Sequence, residues 1–374
     1  MSALAVATGA INLGQGFPDT DGPSVVLDTA IAQIRSGNNQ YPPGRGEPGL
    51  RAAIAEHQQR FYGLTYDPDT EVLVTAGATE ALAGALLGML ETGDEVIVFE
   101  PMYDSYQAGI ALAGARAVPV LLRPVPGAGY GFDPAELRAA VTPRTRMILL
   151  NTPHNPTGKV FTRVELQIIA DVALAHDLWV VADEVYEHLV FAGHEHVSIA
   201  TLPEMRERTL VVSSGGKTFS TTGWKIGWAC GPAEMVTATT TAKQFLTYVN
   251  GSPFQAAIAA GLDLLDGFFA GLAADLEAQR DLLEQGLRAA GFEVYRADGT
   301  YFTTVDIRPL RADGDGMAFC RELPGLIGVV AVPNQVFYMN PEHGRHLVRF
   351  ACCKRPEVIA QAVERLRHLA SSNR

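Results

Sequence analysis

The sequence predicts an α/β fold: a mostly parallel central sheet flanked by helices, with a smaller α+β unit after it. Three observations carry this. Short β-branched runs recur between about residues 40 and 230, each ending in polar or small residues. These runs are near-continuously apolar rather than alternating, as in strands covered on both faces. After about residue 255 the pattern changes to a long helical run and then to strand-like alternation.

Taken in order, EVLVT (71–75) leads into AGATEALAGALLGML, whose composition suits a helix. EVIVF (95–99) stops at Glu100-Pro101, and RMILL (146–150) gives way to NTPHNPTG. LWVVA (178–182) ends in DEVYEH, and TLVVS (209–213) runs into SSGGKTFSTTGWKIGW, Ser213–Trp228. In such sheets ligands gather at the carboxyl ends of the strands, and the unusual residues of this chain stand there. Further on, AAIAAGLDLLDGFFAGLAADLEAQRDLLEQGLRAAG is a long helical run expected to break or kink near Gly267 or Gly271. GFEVYRADGTYFTTVDI alternates as strands do, and a last helix is expected near Pro356–Ala370. The expected organisation is an N-terminal segment, 1–39, belonging with the small domain, then a large α/β domain, 40–260, and a small α+β domain, 261–374.

The 374 residues, 47% hydrophobic and 19% charged, suffice for a large core without bulk disorder. The formal charge of −12 speaks against nucleic acid or an anionic membrane as partner. Cys230, Cys320, Cys352 and Cys353 include no C-x-x-C pair, so neither a zinc site nor a disulfide framework is expected. A reduced, cytoplasmic thiol set is expected instead. MSALAVATGAINLGQG lacks the basic start and continuous apolar core of a signal peptide. The richest apolar run, near Ala81–Leu90, holds Gly84 and Gly88 and is too short to span a bilayer.

Three familiar motifs fail on inspection. GGKT (215–218) resembles the end of a phosphate-binding P-loop, but Val211 stands where that motif needs glycine. GRGEPG (44–49) follows YPP rather than a strand and contains Pro48, against a dinucleotide site. GHEH (193–196) lacks H-E-x-x-H spacing and reads as an exposed loop.

What remains works as a set. Lys217 follows a buried strand in glycine-rich surroundings, where a lysine loses its proton easily and can attack an aldehyde. Lys225 and Ser214 suit a phosphate, as do the free N–H groups where TAGATEAL opens a helix at Ala78 and Thr79. Asp183 follows WVVA, where a carboxylate is costly without a cation such as a protonated pyridine nitrogen. Tyr186 offers a phenol, Asn155 an amide, and Tyr103 a ring to stack on a flat ligand. Aldehyde, pyridine nitrogen, phenolic oxygen and phosphate together describe pyridoxal phosphate. Singly, each has a plainer reading: Lys217 as a solvated charge, Asp183 as the cap of a helix starting at Glu184, Asn155-Pro156 as a turn, and Tyr103 and Tyr186 as packing aromatics. Arg349, inside the apolar strand LVRF, resists one, because a buried unpaired guanidinium is expensive.

In order, NLGQGFPD, NQYPPGRGEPGLRAAI, TAGATEAL, EPMYDSY, NTPHNPTGKVF, ADEVYEHLVF, SSGGKTFSTTGWKIGWACG and HLVRFACCKR resemble the class I/II aminotransferases of the aspartate aminotransferase fold, over almost the whole chain. The resemblance implies a fold-type I pyridoxal-phosphate enzyme that exchanges an amino group between an amino acid and a 2-oxo acid. It implies Lys217 as the Schiff-base lysine and proton shuttle, and Asp183 as the partner of the pyridine nitrogen. Asn155 and Tyr186 would bond the ring oxygen; Ser214, Lys225, Ala78 and Thr79 would hold the phosphate. Arg349, helped by Asn155 and the backbone of Gly16, would clamp the substrate α-carboxylate. It further implies a homodimer in which Tyr41 reaches the neighbouring subunit's phosphate.

GWK, with Lys225 where arginine is frequent, is similar to the branch holding kynurenine, glutamine, methionine and actinobacterial N-succinyldiaminopimelate aminotransferases. WKIGWACGPAE and YPPG with DEVYEHLVF lean toward the last, in lysine biosynthesis, with 2-oxoglutarate/glutamate as the other couple. Arg45 is a candidate for a distal carboxylate, against its plainer reading as an exposed loop arginine. A broad aminotransferase or a cysteine-conjugate β-lyase is the alternative. A DNA-binding regulator is disfavoured, since the cofactor domain begins almost at once. The start at Met1 implies either a start set too far downstream or a more open entrance than in relatives.

Overall fold

The computed structural model describes residues 1–125 and 129–372. Its centre is a seven-stranded sheet in the spatial order Val72–Ala76, Ile226–Cys230, Thr209–Ser214, Trp179–Asp183, Thr145–Asn151, Glu95–Glu100 and Arg116–Leu121. Six strands run one way, and Ile226–Cys230 alone is antiparallel to both neighbours. Side chains alternate between the faces along a strand. Ile97, Phe99, Ile148, Leu150, Val180 and Ala182 therefore enter one core layer, while Val96, Val98, Met147, Leu149, Val181 and Val212 enter the other. Two covered faces explain the uninterrupted apolar runs.

Five strands stand where the runs were read. Two do not come from that reading. Arg116–Leu121 is an edge strand containing Pro119, which an edge tolerates because one side of it needs no ladder. Ile226–Cys230, which begins within the glycine-rich segment Ser213–Trp228, returns antiparallel between two parallel strands, with all five residues buried. Gly227 makes that return possible: a Cβ there would lie 2.5 Å from the Ala78 nitrogen, at the start of helix Gly77–Met89.

The long helical run breaks at Asp263–Leu265 into Ser252–Leu262 and Asp266–Ala289, bent by 92°. The expected break at Gly267 or Gly271 is thereby corrected. Both glycines lie within the second helix, and a Cβ on either would meet open space. Tertiary contacts set the corner: Arg60 binds the Leu264 carbonyl and the Asp266 carboxylate, both at 2.9 Å. Phe268 and Phe269 turn inward onto Phe219. Among the described residues no single helix is long and apolar enough to cross a membrane.

An antiparallel sheet of Glu293–Tyr295, Phe302–Asp306, Leu347–Ala351 and Val332–Pro333 lies beyond, with helices Asp266–Ala289 and Pro356–Ser372 packed together beside it. The segment 1–39 divides its contacts. Ile11–Asn12 pairs in parallel with Val329–Val330, whereas helix Ser24–Ser36 lies on helix Ser252–Leu262.

Gly227→Ala is expected to cost about 1–3 kcal/mol in urea unfolding, since the inserted methyl meets backbone rather than a flexible side chain. A cost under about 0.5 kcal/mol would mean that the helix start can give way.

Candidate active site

The carboxyl ends of the like-directed strands and residues of the small sheet enclose a cavity of about 740 Å³. Lys217, Asp183, Tyr186, Asn155, Ser214, Lys225, Ala78, Thr79, Tyr103, Arg349 and Gly16 all line it, although they span most of the chain. Met1, Ser2 and Ala3, at the start of helix Ser2–Thr8, close one side.

Three cations face this space. Lys217 sits in the short helix Gly215–Thr218, just past the strand Thr209–Ser214. Its Nζ lies 5.7 Å from the ring centre of Tyr186 and 5.8 Å from that of Tyr301. Burial lowers its pKa, and Arg349 and Lys225 push the same way. Lys225 takes a left-handed backbone, φ 56°, a costly conformation for a side-chain-bearing residue that persists where the surroundings impose it. Its Nζ lies 3.2 Å from where a Gly77 Cβ would stand, so the ammonium lies at the start of helix Gly77–Met89. No side chain caps that helix, and its free N–H groups with Lys225 and Ser214 could hold an anion such as phosphate.

Arg349 is buried in strand Leu347–Ala351. Nη1 donates to Asn155 Oδ1 at 2.8 Å and Nη2 to the Gly14 carbonyl at 3.1 Å. The guanidinium carbon stands 3.9 Å from the Phe302 ring centre and 4.7 Å from that of Phe337. Burial pulls its pKa down to about 10, so it stays charged at neutral pH. Among the described residues it has no carboxylate partner, and its Nε is buried without any acceptor. An anionic ligand would supply what the protein withholds.

Asp183 is the one carboxylate set at a strand end beside these cations. Burial raises its pKa to about 6 despite two donors, Tyr106 Oη at 2.6 Å and the Val185 amide at 3.3 Å. The residues after it form turns, not the helix its plainer reading required. Asn155 is placed by Asn151, which accepts from the Asn155 amide at 2.8 Å and donates to the Asp183 carbonyl at 2.9 Å. Tyr186 packs edge-on against Tyr301, 5.3 Å between centres, and burial raises its pKa. Gly16 has no room for a side chain: its Cβ would fall 2.7 Å from Tyr301, whose hydroxyl already donates to the Gly16 carbonyl at 2.7 Å. Tyr103 lies on the wall, edge-on to Tyr106 at 5.7 Å.

Two residues singled out in the sequence stand elsewhere. Tyr41 is 82% exposed, edge-on to Tyr248 at 5.8 Å. Arg45 donates to the Thr70 carbonyl at 2.9 Å and to Thr237 Oγ1 at 3.3 Å, outside the cavity lining, so a backbone carbonyl and a hydroxyl take the place proposed for a distal carboxylate. In GHEH, His196 departs from the exposed-loop reading: its side chain is buried against Glu184 at 2.9 Å.

Residues 8–366 match the family model for aminotransferase class I and II. The chain belongs to that aminotransferase family. It is 51% identical to N-succinyldiaminopimelate aminotransferase from Mycobacterium tuberculosis, whose solved structure it matches with a TM-score of 0.96, over 99% of this chain and 96% of the other. It is 38% identical to the methionine aminotransferase of Escherichia coli, covering 99% of this chain and 94% of that one. Against mouse kynurenine–oxoglutarate transaminase 3 the identity is 39%, covering 96% of this chain and 85% of the relative. The fold, an enzyme of the transaminase class and a pyridoxal-phosphate-dependent family follow from these matches.

Sequence reasoning missed Tyr106, Asn151, Tyr301 and the two phenylalanines stacked on Arg349. Tyr106 had a signal: it lies three residues after Tyr103 in EPMYDSY, one turn along helix Asp104–Leu112. Nothing local marks Tyr301 or Phe337, which reach the aminotransferase site from the small sheet's side.

Tyr106→Phe removes a charge-stabilising donor, so the Asp183 midpoint should rise from about 6 by about one pH unit in a carboxyl NMR titration. The linkage sign follows from a folded pKa raised above the unfolded one. Stability from this group in the cofactor-free protein is full below about pH 4 and is lost as pH rises through about 6. An unmoved midpoint would show that the Tyr106 bond does not tune this carboxylate.

Proposed function

We propose that this aminotransferase carries pyridoxal phosphate on Lys217 and transfers the amino group of N-succinyldiaminopimelate to 2-oxoglutarate. The observation that carries the cofactor assignment is one cavity holding a desolvated lysine, a buried carboxylate and an anion cradle on three separate strand ends. The residues fit the group. Asp183 would face the pyridine nitrogen, Asn155 and Tyr186 the ring oxygen, and Tyr103 the ring face. Lys225, Ser214 and the Ala78–Thr79 end of the helix would hold the phosphate. The 51% identity over nearly the full chain supports the choice of donor.

Bound cofactor would supply the carbonyl that exchanges the amino group and a ring that accepts electron density from the substrate Cα. The remaining work falls to the chain. Arg349, already held by Asn155 and stacked between Phe302 and Phe337, presents its guanidinium to the α-carboxylate without reorganising. Lys217 Nζ, uncharged more readily because it is buried, takes the substrate Cα proton and returns it. Asp183, ionised above about pH 6, holds a proton on the nitrogen it faces.

A methionine-type donor is the second reading, and the lining favours it at one point. Phe17, Val332, Val336 and Phe337 form an apolar wall, and Lys217, Lys225 and Arg349 are the only lysine or arginine side chains among the described lining residues. We further propose a cytoplasmic homodimer with Tyr41 acting across the interface. Tyr41, Phe245, Leu246 and Tyr248 are exposed, and the Tyr41 ring packs edge-on to Tyr248, which supports a partner there. The division into 40–260 and 261–374, with helix Asp266–Ala289 crossing from the corner at Asp263–Leu265, is retained on the same footing.

Purified enzyme mixed with N-succinyldiaminopimelate and no oxo acid should convert its visible cofactor band to the amino form in a single turnover. Methionine, kynurenine and glutamine serve as comparisons. Conversion by methionine but not by the succinylated donor would move the assignment to the second reading, and pyruvate released from a cysteine conjugate would reveal lyase chemistry. Arg349→Ala should lower kcat/KM by about 10²–10³-fold, from the loss of a desolvated bidentate partner. A fall of less than tenfold, measured with the same donor, would remove Arg349 from α-carboxylate binding.

A further inference from the structure

Outside the cavity lining, and next in the chain to the Asp183–Tyr186 turn, lies a second polar cluster that the transamination chemistry does not use. His57 comes from helix Pro48–Tyr62, and Glu187 and His188 follow Tyr186 directly. Their ligand-type atoms all lie within 4.8 Å of one another, the only such group of three among the described residues. His57 Nε2 and His188 Nε2 are 2.7 Å apart. His57 and Glu187 are buried, while His188 is partly open to solvent and gives a route in. Burial pulls both imidazoles down in pKa, His188 to about 3, so both are neutral at physiological pH. Burial opposes ionisation of Glu187, but its hydrogen bonds from Ser213 and Tyr62 act the other way and its carboxyl lies below the usual range.

We propose that His57, His188 and Glu187 form a binding site for one divalent transition-metal ion of the zinc type. Two imidazoles and one carboxylate, with their ligand atoms within 4.8 Å of one another, are a ligand set such an ion takes. Imidazole nitrogens bound at about 2.0–2.1 Å to one tetrahedral ion stand roughly 3.3 Å apart, so the pair has to open by about half an ångström. At present one shared proton holds the two nitrogens together. His57 Nδ1 is buried without a partner, so the ring's one proton is best placed on Nε2, toward His188. An ion bound at His57 Nε2 would move that proton to Nδ1, so that the ring stays neutral and Nε2 offers its lone pair.

The outer contacts resemble those of a built site. Glu187 already accepts from Tyr62 Oη at 2.6 Å and from Ser213 Oγ at 2.5 Å, which orients its carboxylate. Phe61 and Phe269 pack against both rings, at 4.8 and 6.3 Å from His57 and at 4.8 and 4.3 Å from His188. Arg60 lies over the outer faces of Phe61 and Phe269, at 4.9 and 5.9 Å, and its charge opposes a cation. Glu187 contributes −1, and the charge of that one guanidinium is already paired with the Asp266 carboxylate. An ion here would tie helix Pro48–Tyr62 to the turn carrying Asp183 and Tyr186, and through Ser213 to the strand that ends before Lys217.

The test uses the holoenzyme, freed of metal by dialysis against a chelator. Equilibrium dialysis with zinc should give about one ion per chain, and cobalt in its place should show visible ligand-field bands. Zinc should also raise the melting temperature. His57→Gln and His188→Gln should each weaken zinc binding by about tenfold or more and abolish the melting shift, with the cofactor band unchanged. Sub-stoichiometric zinc on the wild-type enzyme would overturn the proposal without recourse to any variant. So would binding that survives both substitutions, which would place the metal elsewhere.

Discussion

Arg349 and Asp183 are both buried, and neither is neutralised by the other. A buried charge without a counter-charge is the most expensive feature a fold can carry, so its retention organises everything around it. Arg349 is left with amide, carbonyl and aromatic faces instead of a carboxylate. Asp183 is left with a phenol and a backbone amide. Asn151 joins the two by bonding to the Asp183 carbonyl and the Asn155 amide, and Asn155 in turn accepts from Arg349, so both charged groups share one frame. The cavity is preorganised for a zwitterionic or anionic guest because the protein has satisfied its charges only in part.

The sheet supplies the geometry for this arrangement. Six like-directed strands end on one side, and all of those endings except that of the edge strand Arg116–Leu121 lead into residues that line the cavity. The single antiparallel strand, Ile226–Cys230, has a second role. It brings Lys225 back to the start of helix Gly77–Met89, and the missing side chains of Gly77 and Gly227 provide the closeness. Two cations eight residues apart thus face one cavity. Lys217 is suited to covalent chemistry by burial, and Lys225 to an anion by its place at a helix start.

The small sheet completes the site from the other side. Arg349, Tyr301 and Phe302 arrive on strands or turns of the small unit, and the N-terminal residues Gly14 and Gly16 are pinned to it by Arg349 and Tyr301. On the proposed assignment, substrate recognition depends on how the small sheet meets the large one, while the groups suited to the cofactor belong almost wholly to the large sheet and its helices. The Glu187 cluster is attached to the same turn as Asp183 and Tyr186, so ligation there would be felt in the active site through backbone rather than through field.

The sequence by itself determined the parallel sheet, since two-sided burial demands uninterrupted apolar runs, and it determined most of the site, since costly residues at strand ends are conspicuous. Lys217, Asp183 and Arg349 were legible as charges in apolar or glycine-rich surroundings, and Asn155 and Tyr186 through the motifs that contain them. Tertiary structure alone decided the rest. Ile226–Cys230 is a short apolar run whose direction depends on its neighbours, and the corner at Asp263–Leu265 was set by Arg60 and two phenylalanines rather than by glycine. Tyr106, Asn151 and Tyr301 are ordinary residues whose roles come only from what stands beside them. Charges betray themselves in a sequence because burying them is expensive; the neutral groups that make that burial tolerable do not.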